Sequence, residues 1–158
     1  MAQLPVIYAS MSGNSEFLAN QIADYLNEKH SIDAEARLAD LLSLEELSSM
    51  DFAVFVIPTW GRGEIPADAE RLHDEIQHAD GNPLTSLTFS LLAPGDKQYP
   101  DYCQAGKTFA QSLEDAGATK AADILMLDGI PVEKYEDDVK QWVDGWVEKI
   151  PAETQANA

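Results

Sequence analysis

The sequence predicts an α/β domain, a parallel sheet covered on both faces by helices. Three observations carry this. Short apolar runs alternate with helix-like stretches along the whole chain. One run, "FAVFVIP", is continuously apolar, as a central strand buried on both faces requires. A strand, a small-residue turn and a helix follow one another directly in "VIYASMSGNSEFLA".

The first strand reads as Val6 to Ala9. From Asn14 onward Leu18, Ile22, Tyr25 and Leu26 share a helical face. "DAEARL" sets Ala34, Ala36 and Leu38 on one side of an extended segment, the second strand. "FAVFVIP", ended by Pro58, is the third. Pro66 suits the first turn of a helix that aligns Ala69, Leu72 and Ile76, and "DGNPLTSL" breaks that helix. "TFSLLA", Thr88 to Ala93, is the fourth strand and "PGDKQYPDYCQAG" the loop after it. A helix from about Cys103 stops at Gly117, and "DILMLD" is the fifth strand. The last helix carries Val139, Trp142, Val143, Trp146, Val147 and Ile150 as one apolar stripe, so its tryptophans are assigned to the core. Pro151 and the polar tail 152–158 end the fold, leaving one domain over 1–151.

Composition narrows the function. With 28 acidic and 10 basic residues the formal charge is -18, so the basic footprint of a nucleic-acid binder is missing. Anionic membrane surfaces are disfavoured for the same reason, and a partner with a basic patch is favoured. No segment approaches the ~18 apolar residues of a membrane span. The single cysteine, Cys103, forms no internal disulfide and fits a reducing compartment, so a cytoplasmic protein is expected. His73 and His78 stand five apart, off the spacing of a helical metal pair, and read as surface residues; His30 stands alone.

In doubly wound sheets ligands sit beyond the carboxyl ends of the strands. Three loops of this chain end there. "SMSGNS" offers hydroxyls, an amide and a glycine at a helix start, where backbone N–H groups and the helix dipole hold a phosphate without a cation. It lacks the Lys of a nucleotide-triphosphate loop and the three glycines of a dinucleotide fingerprint. A terminal phosphate monoester fits it; a plain serine-capped helix start fits it too. "PTWGRGEIP" brings Trp60 to the sheet edge, either against a flat ligand or packed on its own loop, with Gly61 free to turn its carbonyl either way. "PGDKQYPDYC" adds Tyr99 and Tyr102. Two aromatic loops beside a phosphate turn describe a slot for a planar ring on a phosphorylated chain.

Taken in order and spacing, "VIYASMSGNSEFLA", "PTWGRGEIPADAE" and "LAPGDKQYPDYCQAGKTF" resemble the flavodoxin family of short-chain type. They are similar to the FMN domains of diflavin reductases and to small free-standing bacterial flavodoxins, over essentially the whole chain. The resemblance implies a three-layer, flavodoxin-like, doubly wound five-stranded parallel sheet of order 2-1-3-4-5, an arrangement taken over from the family. It implies bound FMN. Ser10, Met11, Ser12, Gly13, Asn14 and Ser15 would wrap the phosphate, with Ser12 where the family usually has Thr. Thr59 and Trp60 would lie along the ribityl chain and one ring face, Tyr99 on the other, with Pro58, Arg62, Gly63, Pro94 and Tyr102 completing the loops. Gly61 would meet the protonated flavin N5, and backbone around Gly95, Asp96 and Cys103 the pyrimidine edge. Cys103 would floor the site rather than act as a nucleophile. Arg62 and Lys97 would bring cations toward the ring.

The implied function is FMN-dependent electron transfer through a neutral semiquinone, between a basic-faced flavin reductase and an acceptor. A monomeric carrier without catalytic residues or metal is expected. The alternative is a stand-alone FMN enzyme reducing quinones with a nicotinamide cofactor, against which stand the short chain and the missing dinucleotide motif.

Overall fold

β1 (Leu4–Tyr8) is buried from Leu4 to Ile7 and lies between two parallel neighbours, pairing through Leu4↔Ala34 with β2 (Ala34–Leu38) and through Val6↔Val54 with β3 (Phe52–Val56). β3 pairs through Phe52↔Thr88 with β4 (Thr88–Gly95), again parallel. The far side of β4 holds two short strands, β5 (Thr119–Lys120) and β6 (Leu125–Asp128). The spatial order is therefore β2-β1-β3-β4-β5, with β6 also on β4, as the resemblance implied. The computed structural model describes residues 4–9, 13–59, 64–98, 102–129 and 131–151.

Among the described residues five α-helices cover the sheet: α1 (Asn14–His30), α2 (Leu44–Ser48), α3 (Ala67–Gln77), α4 (Gln104–Asp115) and α5 (Glu136–Trp146). The strand periodicity sorts the core into two faces. Leu4, Val6, Phe52, Val54 and Val56 pack against Leu18, Ile22 and Leu26 of α1 and Val139, Val143 and Trp146 of α5. Ala53, Phe55, Ile57, Phe89, Leu91 and Ala93 pack against Leu72 and Ile76 of α3 and Phe109 and Leu113 of α4. Every residue of β3 is buried, which is why its sequence is apolar without alternation.

Several sequence expectations need correction. β4 runs on through Pro94 and Gly95, which the sequence assigned to the following loop. The predicted fifth strand begins only at Leu125, and its place beside β4 is shared with Thr119–Lys120. Between the two pieces the Trp142 indole N–H donates to the Asp123 carbonyl at 3.2 Å and Lys149 Nζ donates to the Ala121 carbonyl. Groups of the C-terminal segment thus satisfy carbonyls that a continuous strand would have paired. The N-cap of α1 is Gly13 at φ 87°, which makes no side-chain cap of its own.

His73 is not a surface residue. It is 6% exposed, stacks on Phe109 at 5.5 Å, and shares a 2.9 Å hydrogen bond between Nε2 and Ser112 Oγ. His78 is exposed, as expected. Trp146 is fully buried and stacks on Phe52 at 5.4 Å, which bears out its core assignment.

Candidate functional site

Because β1 and β3 are neighbours while their connections leave in opposite directions, the switch point of the sheet lies beyond Tyr8 and Val56. α1 starts just past β1, and Pro58 and Thr59 continue β3 to the same edge. Pro94 and Gly95 end β4 alongside them, with Asp96 next: the Thr59 N–H donates to the Pro94 carbonyl at 2.9 Å. The three loops singled out by the sequence therefore converge at one edge. Of the residues assigned to the site, Ser10, Met11, Ser12, Trp60, Gly61, Arg62, Gly63 and Tyr99 lie outside the described residues.

Ser15 occupies the first turn of α1, is 1% exposed, and its Oγ has no hydrogen-bond partner among the described residues. First-turn N–H groups have no acceptor within their own helix. A buried hydroxyl left unpaired costs about 1–3 kcal/mol. Oγ therefore stands at the positive end of a helix, where an anion would pair it. The donor set fits a phosphate monoester. Gly13 at φ 87° supplies the left-handed turn into the helix, a conformation that costs a residue with a Cβ more.

Acids border this edge. Burial, the Glu16 carboxylate and Asp68 at the start of α3 together push the Tyr8 hydroxyl up. Glu16, in the first turn of α1, thus lies near Tyr8 at the end of β1.

The third loop is packed on itself. An ideal Cβ at Gly95 would lie 3.1 Å from Tyr102 Cδ1 and 3.2 Å from both the N and the Sγ of Cys103, so a side chain there would have to push the returning chain aside by a few tenths of an ångström. Cys103 begins α4 at φ 58°, left-handed for a residue with a side chain. Its thiol is buried and pushed up by that burial, and its Sγ donates to the Ala93 carbonyl at 3.1 Å. A neutral thiol so engaged is no nucleophile. The Tyr102 hydroxyl is also raised, first by burial.

One role escaped the sequence reading. Thr59 is buried, and its Oγ1 accepts the Ala105 N–H at 2.8 Å, capping α4 from a strand end 46 residues earlier in the chain. No local signal marks such a cap, since threonine beside a proline reads as ordinary loop. Among the described residues there is no grouping of His, Cys, Asp and Glu that could hold a metal ion.

Comparison with known proteins decides the family. A family profile described as Flavodoxin matches residues 6–142. The chain belongs to the flavodoxin family. It is 32% identical over 140 residues to a "Probable flavodoxin 1" of Bacillus subtilis, covering 89% of this chain and 85% of that one. It is 31% identical over 153 residues to a flavodoxin of Maridesulfovibrio salexigens, covering 95% of this chain and 100% of that one. A sulfite reductase [NADPH] flavoprotein alpha-component of Vibrio cholerae is 32% identical over 128 residues, 80% of this chain but only 20% of that longer protein. Among solved structures, oxidised Flavodoxin 2 from Bacillus cereus superposes with a TM-score of 0.83 at 28% identity, covering 94% of this chain and 100% of that one. As a flavodoxin, the chain is an FMN-dependent electron-transfer protein, and the buried Ser15 hydroxyl at the start of α1, unpaired among the described residues, fits the cofactor's phosphate.

Proposed function

We propose that the FMN phosphate rests on residues 10–15, with the ring held between the second and third loops, and that the protein works as a carrier between separate redox proteins. The observation that carries the phosphate assignment is the buried Ser15 hydroxyl, unpartnered among the described residues. FMN supplies the ability to take up and release electrons one at a time. The chain supplies the phosphate donors through Ser10, Ser12, Ser15 and the first-turn backbone, the ring walls through Trp60 and Tyr99, and a closely packed floor through Gly95, Tyr102 and Cys103. Residues 1–151 form the binding domain in this reading.

The partners are basic-faced. Glu16, Glu64, Asp68 and Asp96 all belong to segments that begin at the carboxyl edge of the sheet, in a chain of formal charge -18. Such a face attracts a cationic reductase or acceptor and repels a second copy of itself, which favours a monomer. A cytoplasmic setting suits its one cysteine, which is unpaired and buried. No helix among the described residues is long and apolar enough to cross a membrane.

The test titrates apoprotein with FMN and with riboflavin, read by flavin fluorescence. S15A is expected to weaken FMN binding about tenfold, the effect of one hydrogen bond to a charged group, while riboflavin binding stays as in the wild type. The stability of the S15A apoprotein should stay level or rise, because an unpaired buried hydroxyl has been removed. Equal losses for FMN and riboflavin, or none for either, would overturn the phosphate assignment.

A further inference from the structure

Asp128, the last residue of β6, lies opposite Gly95 in the β4–β6 register and reaches the third loop through its side chain. Its Oδ1 accepts the Lys97 N–H at 2.8 Å, across 31 residues of sequence. Its own carbonyl accepts the Tyr135 hydroxyl at 2.5 Å, which fixes the strand end from the other side. The next residue, Gly129, turns at φ 79° and donates its N–H to the Gly95 carbonyl at 2.6 Å. Within the loop, Asp96 Oδ1 accepts the Gln98 N–H at 2.9 Å. Residues 95–98 are thus tied to the end of β6 at Gly95 and Lys97 and tightened internally at Asp96.

We propose that Asp128 is a positioning residue for the flavin site: its carboxylate oxygen, by holding the Lys97 N–H, sets the path of residues 95–98 against Tyr102 and Cys103. The inference rests on the FMN reading of these loops but assigns Asp128 no contact with the cofactor. Geometry makes the role specific. The acceptor must lie at the height of Lys97, and β6 places Asp128 there only because Leu125–Asp128 pairs with β4 beyond the break that follows Lys120. A carboxylate here also contributes charge near the site, acting on both Tyr102 and Cys103. Position and charge therefore have to be separated.

Three variants separate them. D128N keeps an acceptor oxygen in place and removes the charge. D128E keeps the charge and displaces the acceptor by one methylene. D128A removes both. Amide exchange at Lys97 in the apoprotein, followed by NMR, reads positioning without any cofactor. Lost protection should speed it about tenfold in D128A and D128E, with D128N near wild type, since one hydrogen bond is at stake. FMN affinity should fall in the same order, D128N staying close to wild type and D128E falling with D128A. If instead D128E keeps wild-type affinity while D128N loses it, Asp128 acts by charge and the proposal is overturned. Unchanged Lys97 exchange in D128E overturns it as well. Should D128A fail to fold, the opposed pair D128N and D128E still decides. A wild-type protein that takes up no FMN would sink the site reading alone, because Lys97 exchange in the apoprotein tests positioning independently.

Discussion

The Cβ of Ala93 occupies the space a side chain at Gly106 would need: an ideal Cβ on Gly106 falls 2.7 Å from it, and 3.2 Å from Leu91 Cδ2. Helix α4 consequently lies on β4 at a distance only glycine allows. That approach also places the first turn of α4 where Thr59 Oγ1 meets the Ala105 N–H. Gly106→Ala should push the helix off the sheet and cost about 1–3 kcal/mol, the usual effect of overpacking a filled core. Denaturant unfolding of the apoprotein measures the loss. FMN affinity should fall with it, because Cys103 and Ala105 move with the helix. Wild-type stability in the variant would show that α4 shifts at no cost and that the close approach is incidental.

Gly145 provides the opposite case. It lies in α5, and a Cβ built on it meets nothing within 4 Å. Gly145→Ala should stabilise the fold by about 0.5–1 kcal/mol through helix propensity alone. The same unfolding experiment reads it, and the FMN affinity should not change.

His73 makes stability depend on pH. Burial against Phe109 and Ser112 pushes its pKa down, only partly opposed by Asp74. The unfolded chain binds this proton near the ordinary value of about 6.5, while the folded chain resists it until lower pH. In that interval the unfolded state carries more protons, so stability rises with pH. The contribution is complete above about pH 6.5 and is lost as pH falls toward the folded value. Unfolding midpoints compared for wild type and His73→Gln between about pH 5 and 7.5 should show a steeper fall on acidification in the wild type. Parallel curves would mean that His73 takes its proton without cost.

How much the sequence disclosed depends on how local each signal is. The buried central strand and the stripes of α1 and α3 were readable because each repeats its apolar residues within one segment. β5 was not, since Thr119–Lys120 is polar and short and becomes a strand only through its pairing with β4. α2 was readable in principle: Ser43 accepts the Glu46 N–H, and S-x-x-E is a capping signal. His73 belonged by spacing with Ala69, Leu72 and Ile76, and treating it as polar concealed that. In the site, the three loops were legible as residue types at strand ends. The Thr59 cap and the Asp128 tie were not, because they join residues 46 and 31 positions apart that only the folded sheet brings together.

Arg71 fastens the segment after β2 to α3. Its Nη2 donates to the Asp40 carbonyl at 2.6 Å and the Leu42 carbonyl at 2.7 Å, while Nη1 pairs with Glu75 Oε2 at 2.8 Å. Glu75 in turn accepts the Leu44 N–H at 2.9 Å, so the two residues together hold the turn at 39–41 and the start of α2. That N–H, reinforced by Arg71, holds the Glu75 carboxyl below its ordinary value. The guanidinium plane satisfies two carbonyls and a carboxylate at once, a geometry that an ammonium on a flexible stem does not reproduce. Arg71→Lys should therefore cost nearly as much as Arg71→Ala, about 1 kcal/mol for so exposed a group. Amide exchange localises the effect: the Leu44 amide should lose protection in both variants while the amides of β3 keep theirs. If Lys retains wild-type stability and protection at Leu44, charge alone suffices there and the fork has no role.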